Sequence, residues 1–424
     1  MSVFWNKIKL IFKDSDLRKK ILFVLAMLAL FRFGAAIPIP GVDVIKLHNF
    51  LAGNQFFGLL NIFSGGALSN LSIVMLGVGP YITATIIMQL LTMIIPRLKE
   101  MYQEEGEIGR QKFNQYSRFL TVPLAMLQGY ALLAMLEKQG VLGNLTLFAR
   151  LTNVIIVMAG SIVLMWIGEL ITEYGIGNGV SLLIFSGIVA RIPASIQQTL
   201  FVFEPSQIPM ILGFLIAGFL IIAGVVMVTE GERPIPISYA KRIRGMRVYG
   251  GVSTYLPLRV NQAGVIPIIF ALSILLFPQL LVNLLAGVHA GLVQSLVAMI
   301  SAAISNAWIY AILYFGLVFV FTYFYTAVTF DPEAISSNLQ KSGAFIPGIR
   351  PGRPTAEHLG KTLTRITLVG AVFLGLIAVL PLAMRAITGI TSLAIGGTAL
   401  LIVVSVVLET IKQIQAQVVM REYE

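Results

Sequence analysis

Gly360-Lys361-Thr362 has the residue types that close a phosphate-cradling loop. Such a loop needs its first glycine at position 355, where Thr355 stands, so the backbone cradle for a nucleotide is missing. Cysteine is absent, which excludes disulfides, thiolate metal sites and thiol nucleophiles. The three histidines, His48, His289 and His358, lie far apart and in no metal-ligand spacing. Only Arg32 and Glu169 fall inside apolar spans, each placed to reach a headgroup boundary or a buried partner. Coupled transporters usually carry several ionisable groups at mid-depth, and a ring of acidic or basic side chains would suggest an ion filter. Neither pattern is present, and nothing in the chain reads as an enzyme or calls for a cofactor.

What recurs instead is aliphatic. Val78 and Ile82 are four apart and share a helix face, as do Ile184 and Ile188. "VGPYITA" (78–84) and "VIPIIFA" (265–271) share V-x-P-x-I-x-A, which pairs Ile82 with Ile269. "IGNGVSLLI" (176–184) and "IGGTALLI" (395–402) match after one gap, which pairs Ile184 with Ile402. If the repeat sets these helices around one axis, the aliphatic tips form a constriction that blocks ions by dewetting. Ordinary lipid-facing or packing aliphatics account for the same residues, and from pattern alone both readings stand.

These residues need membrane helices to hold them. The chain has 424 residues, 57% hydrophobic and 12% charged, with a mean hydropathy of +0.88. Soluble domains carry roughly 25% charged residues, so the composition is that of a polytopic membrane protein. A helical span takes about 20 apolar residues. Ten stretches qualify: 21–37, 71–95, 119–136, 151–172, 176–190, 208–229, 263–285, 308–329, 366–384 and 390–408, the fifth being short. The first of them follows Arg18-Lys19-Lys20 and ends in small residues, as a signal peptide would, but it reads as a retained span. Of the 30 Lys and Arg, 24 fall in alternate connections on the side of the amino terminus, five on the other side, and Arg32 within the first span. Basic residues mark the cytoplasmic side, so both termini are expected there. The matched pairs are five spans apart, so the second half is expected to be inverted in the membrane, an arrangement that puts a pathway between the repeats. The expected fold is an all-α membrane protein of two inverted five-helix halves. Segment 1–20 is an amphipathic cytoplasmic lead, 21–200 one half, 201–409 the other with cytoplasmic loops 230–262 and 330–365, and 410–424 a tail.

Residues 57–70, in front of the second span, are too short to cross a bilayer and are broken by Ser64-Gly65-Gly66 and Ser69-Asn70. Glycine and serine here disfavour helix. Irregular backbone at membrane depth is tolerated only inside protein or beside a water-filled cavity. A displaceable short helix and a static re-entrant loop both satisfy that rule.

Long ordered stretches carry a family resemblance. "FGAAIPIPGV" (33–42), "NIFSGGALSNLSIVMLGVGPYITATIIMQLL" (61–91), "EYGIGNGVSLLIFSGIVA" (173–190), "RPIPISYAKR" (233–242), "LPLRVNQAGVIPIIFA" (256–271), "FIPGIRPGRPT" (345–355) and "GGTALLIVV" (396–404) resemble the SecY/Sec61-alpha family of protein-conducting channels. The resemblance covers essentially the whole chain. It implies a clamshell of ten helices around a central hourglass pore, with a pore ring of Val78, Ile82, Ile184, Ile188, Ile269 and Ile402. It implies a plug over 57–70 that includes Phe57, Gly58, Leu59, Leu60, Asn61, Ile62, Phe63, Ser64, Gly65, Gly66, Ala67 and Leu68. It also implies a lateral gate between spans 2 and 7, with Thr83, Ile87 and Phe277 on its seam.

The implied activity is passage of unfolded secretory polypeptides across the bacterial plasma membrane and lateral release of apolar helices into lipid. Signal sequences and nascent polypeptides are then the substrates. The implied partners are the small membrane subunits SecE and SecG, with the SecA ATPase or a translating ribosome as motor. Motor docking would fall to Arg242, Arg244, Arg247 and Arg350. "YAKRIRGMRVYGG" (239–251) is basic and has no acidic residue, which by itself fits lipid-headgroup attraction equally well. Two positions depart from the family pattern: Met246, where a second basic residue is often found, and Asn70, where some relatives carry a basic one. A secondary transporter for a small solute would need mid-membrane polar ligands. A poreless insertase or scaffold would tolerate charge at Ile82 or Ile184.

Overall fold

The computed structural model describes all residues except 1–13, 41–46, 48–60, 62–63, 144–145, 202–207, 240–241, 245–246, 250–252, 286–290, 389–395 and 423–424. The chain divides into two compact units. One comprises Met1–Pro205, Ser273–Ser305 and Val406–Glu424, the other Ser206–Leu272 and Asn306–Ser405.

In the first unit the elements are α1 (Ser15–Ala36), a 3-10 turn (Ala67–Asn70), α2 (Gly79–Ile94), α3 (Pro96–Gln103), α4 (Gly106–Lys138), α5 (Leu147–Tyr174), α6 (Gly179–Val189) and α7 (Ile192–Phe201). Local chemistry sets their ends. The Asp14 carboxylate accepts from Asp16 N at 2.9 Å and starts α1, and Pro38 follows its end. Pro80 occupies the first turn of α2, where no N–H is needed. Pro96 forces extended backbone on Ile95 and ends that helix, and the chain turns by 113° into α3. Thr146 caps α5 and Asn178 caps α6, each through its side-chain oxygen. The core of this unit joins Leu68, Leu71 and Met75 to Leu132, Leu133 and Leu136 of α4 and Val154 and Val157 of α5. Gly160 brings α5 close to the chain at 73–74, since a Cβ there would fall on the Ile73 carbonyl.

The second unit contains α8 (Ile208–Glu230), strands β1 (Glu232–Tyr239), β2 (Arg242–Arg244), β3 (Arg247–Tyr249) and β4 (Ser253–Arg259), α9 (Ile266–Leu285), α11 (Ala307–Thr329), α12 (Pro332–Lys341), β5 (Ala344–Phe345) and α13 (Arg353–Thr388). Helices α9 and α14 (Gly396–Glu422) run across the unit boundary, and α10 (Gly291–Ser305) belongs to the first unit. Five helices are long and apolar enough to cross a membrane, six with the bent pair α2–α3, among the described residues. Their exposed faces are rich in large apolar side chains such as Phe119, Phe148, Trp166, Trp308 and Leu376, as lipid contact requires.

The all-α expectation misses two small sheets in segments read as loops. Strand β1 pairs antiparallel with β4 from Glu232↔Arg259 to Ser238↔Ser253 and with β5 at Ser238↔Phe345, while β2 and β3 form a separate hairpin. Pro234 and Pro236 argue against a strand in "ERPIPISY", yet β5 borders β1 only at 238 and 239. The stretch holding both prolines is therefore an edge on that side and needs no donors there. Ile235 and Ile237 are buried. Ile235 packs with Leu258, Ile346, Leu359 and Ile366, which seats the sheet on the start of α13.

Gly160→Val should force α5 off the 73–74 backbone. We expect a loss of about 1–3 kcal/mol, read as a lowered unfolding midpoint of the purified protein in detergent.

Candidate functional site

Of segment 57–70, residues Phe57, Gly58, Leu59, Leu60, Ile62 and Phe63 lie outside the described residues. Asn61 and 64–70 form a turn that satisfies its own polar groups. The Asn61 carbonyl accepts from Gly66 N at 2.7 Å and from Ser64 Oγ at 3.1 Å. Its side-chain Oδ1 accepts from Ser69 N at 3.1 Å. Ser64 Oγ accepts from Leu68 N, Ser69 Oγ donates to the Gly66 carbonyl, and Ser72 N donates to the Ala67 carbonyl. Gly65 and Gly66 have φ of 66° and 85°, the left-handed region open to glycine. Ala67, Leu68 and Leu71 are fully buried. Over 64–70 the described backbone is a closed turn and one 3-10 segment, Asn61 is helical, and the rest of the expected short helix lies outside the described residues.

Two ties connect this turn to α1 and the chain after it. Ile39 N donates to the Leu71 carbonyl and Ile73 N to the Ile37 carbonyl, both at 2.9 Å, around the Pro38–Ser72 bridge. Asn70 Nδ2 donates to the Ala35 carbonyl at 3.3 Å. Asn70, which departs from the family pattern, therefore has a structural use here. A third tie is Arg32, whose guanidinium donates to the Gly65 carbonyl at 2.9 Å and to the Ser186 carbonyl of α6. Glu169, the other charge inside a span, accepts from Arg118 Nε at 2.7 Å. Both intraspan charges have a partner, one of the two roles open to them from sequence.

The six aliphatic positions are all buried: Val78 2%, Ile82 8%, Ile184 1%, Ile188 5%, Ile269 8% and Ile402 2% exposed. Val78 caps α2 and its carbonyl accepts from Ile82 N at 3.0 Å, so the two lie one turn apart. Ile184 and Ile188 lie one turn apart on α6, Ile269 is in the first turn of α9, and Ile402 is on α14.

The repeat extends to backbone geometry. Gly77 (φ 60°) precedes Val78, and Gly264 (φ 62°) precedes Val265. Each valine carbonyl accepts from the isoleucine four residues on, at 3.0 Å in one copy and 3.4 Å in the other. Both helices then begin with proline at their second position. The shared glycine was the signal left unread: the longer pattern is G-V-x-P-x-I-x-A.

Thr83 and Ile87 are half-buried on α2, with Thr83 Oγ1 donating to the Gly79 carbonyl at 2.9 Å. Phe277 lies on α9, its side chain outside the described ones. In the β2–β3 hairpin Arg242 stands opposite Tyr249 and Arg244 opposite Arg247. Opposed and alternate positions share a sheet face, so positions 242, 244 and 247 fall on one face. Arg350 is exposed, and its carbonyl accepts from Thr355 Oγ1 at 2.8 Å. The lysine of the incomplete phosphate loop, Lys361, lies within α13, where a cradle of free amides cannot form. Missed from sequence were Phe31 and Gly187, which pack on the Gly65 turn, and Ser186, whose carbonyl accepts from Arg32.

Comparisons with known proteins agree. A family model described as SecY matches residues 72–411. The protein translocase subunit SecY of Mycobacterium tuberculosis (strain ATCC 25618 / H37Rv) is 45% identical over 429 residues, covering 96% of this chain and 96% of the relative. Among solved structures, one concerning the plug domain of the SecY protein superposes with a TM-score of 0.62 at 19% identity, over 93% of this chain and 91% of that one. Sec61 in the canine ribosome-channel complex superposes with a TM-score of 0.59 at 19% identity, with the same coverage.

Ser64→Ala removes one acceptor and one donor from the turn. Amide exchange at Leu68 and Ser69 should accelerate roughly tenfold, as loss of about 1–2 kcal/mol of hydrogen bonding implies, while α4 amides keep their protection.

Proposed function

The chain belongs to the SecY family, and from that premise we propose how its own residues perform protein translocation. It is a multi-pass channel subunit and not an enzyme. Polypeptides present every kind of side chain, so a charged or hydrogen-bonding filter would trap some of them. A ring of aliphatic side chains closes around any chain while dewetting keeps ions out. Val78, Ile82, Ile184, Ile188, Ile269 and Ile402 form that ring. The observation that carries this assignment is that all six are buried aliphatics and that four of them form two repeat-related pairs, one pair with the same local backbone.

Segment 57–70 is the plug. Spans 2 and 7, with Thr83, Ile87 and Phe277, form the lateral gate, through which an apolar helix leaves because lipid solvates it better than water does. Ten membrane helices in two inverted halves, 21–200 and 201–409, surround the pore in the plasma membrane, with both termini cytoplasmic. The 24-to-5 distribution of basic residues supports this topology.

No nucleotide motif is present, so the work of export comes from outside: the SecA ATPase or a translating ribosome, with SecE and SecG as companion subunits. Arg242, Arg244, Arg247 and Arg350 dock the motor, on the hairpin and beside the sheet. The ribosome-bound state of the canine structure is consistent with this role.

The chain is free of cysteine, which allows a direct test. Single cysteines at Ile82, Ile184 or Ile269 should each form a disulfide with a cysteine in a stalled secretory chain, and a cysteine on the lipid face of α13 should not. No cross-link at any of the three, with the chain still held at the cytoplasmic face, would move the pathway elsewhere. For the docking face, Arg244→Glu with Arg247→Glu should weaken motor or ribosome binding roughly tenfold or more at moderate salt. Unchanged affinity would remove the hairpin from the docking surface.

A further inference from the structure

Among the described residues, the plug turn has few polar ties to the rest of its unit. Its internal hydrogen bonds close on themselves, and the contacts at 37–39 and 70–73 lie at its carboxyl-terminal end. Near the tip of the turn, at Gly65, the tie is Arg32. Its Nη1 donates to the Gly65 carbonyl at 2.9 Å and its Nη2 to the carbonyl of Ser186. Ser186 lies in the last turn of α6, where carbonyls carry the negative end of the helix dipole and a cation is favoured. That carbonyl also accepts from Ala190 N at 3.1 Å, using its second lone pair. One guanidinium thus joins the plug turn to a helix more than a hundred residues away.

The seat under this joint is bare backbone. A Cβ on Gly187 would fall on the Gly65 Cα, and a Cβ on Gly65 would run into the Phe31 ring. Gly187 neighbours Ile188 of the proposed ring, so the turn sits beside ring-bearing residues. Arg191 passes the same turn but differs in kind: its Cδ comes within 3.5 Å of where a Gly66 Cβ would stand.

We propose that Arg32 is the latch of the plug, a positioning residue whose two-carbonyl grip on Gly65 and Ser186 holds the resting channel shut. The proposal rests on the plug reading of 57–70. Arginine suits the task because its planar fork reaches two acceptors at once, whereas a lysine ammonium on a longer stem is a single point donor. Releasing the turn means giving up the charge-assisted bond to Gly65 in a partly buried place, so a signal sequence that opens the channel must supply that energy. Once released, the turn keeps its internal hydrogen bonds and moves as a unit.

The test compares chloride efflux from resting vesicles holding the assembled channel complex, with export of a substrate bearing a strong signal sequence measured in parallel. The variants are Arg32→Gln, Arg32→Lys, Arg191→Gln, Gly187→Ala and a deletion of 57–67. We expect Arg32→Gln to raise resting efflux at least tenfold while export stays within about twofold. Arg32→Lys should fall in between, and Arg191→Gln should match the parent. Gly187→Ala should leak as well, since it unseats the turn with Arg32 intact, and it stands as the test if Arg32→Gln does not assemble.

Tight vesicles from an assembled Arg32→Gln with a leaky deletion would overturn the latch and leave the plug standing, whatever Gly187→Ala does; if Arg32→Gln does not assemble, tight vesicles from Gly187→Ala would do the same. Equal leakage from Arg191→Gln would overturn it in favour of a general charge effect. Loss of export in step with leakage would reduce Arg32 to a folding role and overturn it too. If the deletion itself is tight, the plug reading falls, and the latch with it.

Discussion

A backbone amide or carbonyl in hydrocarbon has no water to turn to, and this constraint organises the protein. Helices meet it by construction. The chain from Ser64 to Val78 is not regular helix, and it meets the constraint piece by piece. Asn61 and Ser64 close the turn, the 37–39 and 71–73 segments exchange bonds, and Arg32 takes two further carbonyls. Because most of these bonds lie inside the turn, it is a self-satisfied body. A body of that kind can change position without exposing orphaned backbone, which is what a plug must do.

The same economy fits the absence of chemistry at the proposed ring. A conduit for arbitrary polypeptide cannot contain a binding site, so on that reading selectivity rests on side chains with no polar atoms. Charge is kept where it has a partner. Arg118 meets Glu169, Arg150 meets Glu137 at 2.8 Å, and Arg32 meets carbonyls. Buried unpaired charge is costly, and stray charge near the ring would also draw ions and water into the constriction.

Outside the spans, the basic connections acquire shape from a small sheet. Strand β1 tolerates its two prolines because most of one edge is unpaired, and the isoleucines between and after them are buried. The sheet packs against the start of α13 and so ties the segments 232–259 and 344–346 to a long helix. The proposed docking positions 242, 244 and 247 lie in sequence between the paired strands β1 and β4, and Arg350 between β5 and α13.

Composition and spacing alone determined that this chain is a multi-pass helical membrane protein, that its basic residues concentrate in alternate connections between apolar stretches, and that two V-x-P-x-I-x-A segments repeat. These are properties of hydropathy, charge order and local backbone preference, all of which act over a few residues. The tertiary structure decided the rest. The two sheets depend on pairing between segments up to about a hundred residues apart, and prolines masked the strand in between. The closed turn at 61–72 depends on hydrogen bonds that no periodicity announces. Arg32 reads in sequence as one misplaced charge, and only the fold shows its partners, because both are carbonyls and a carbonyl leaves no mark in the residue type that carries it.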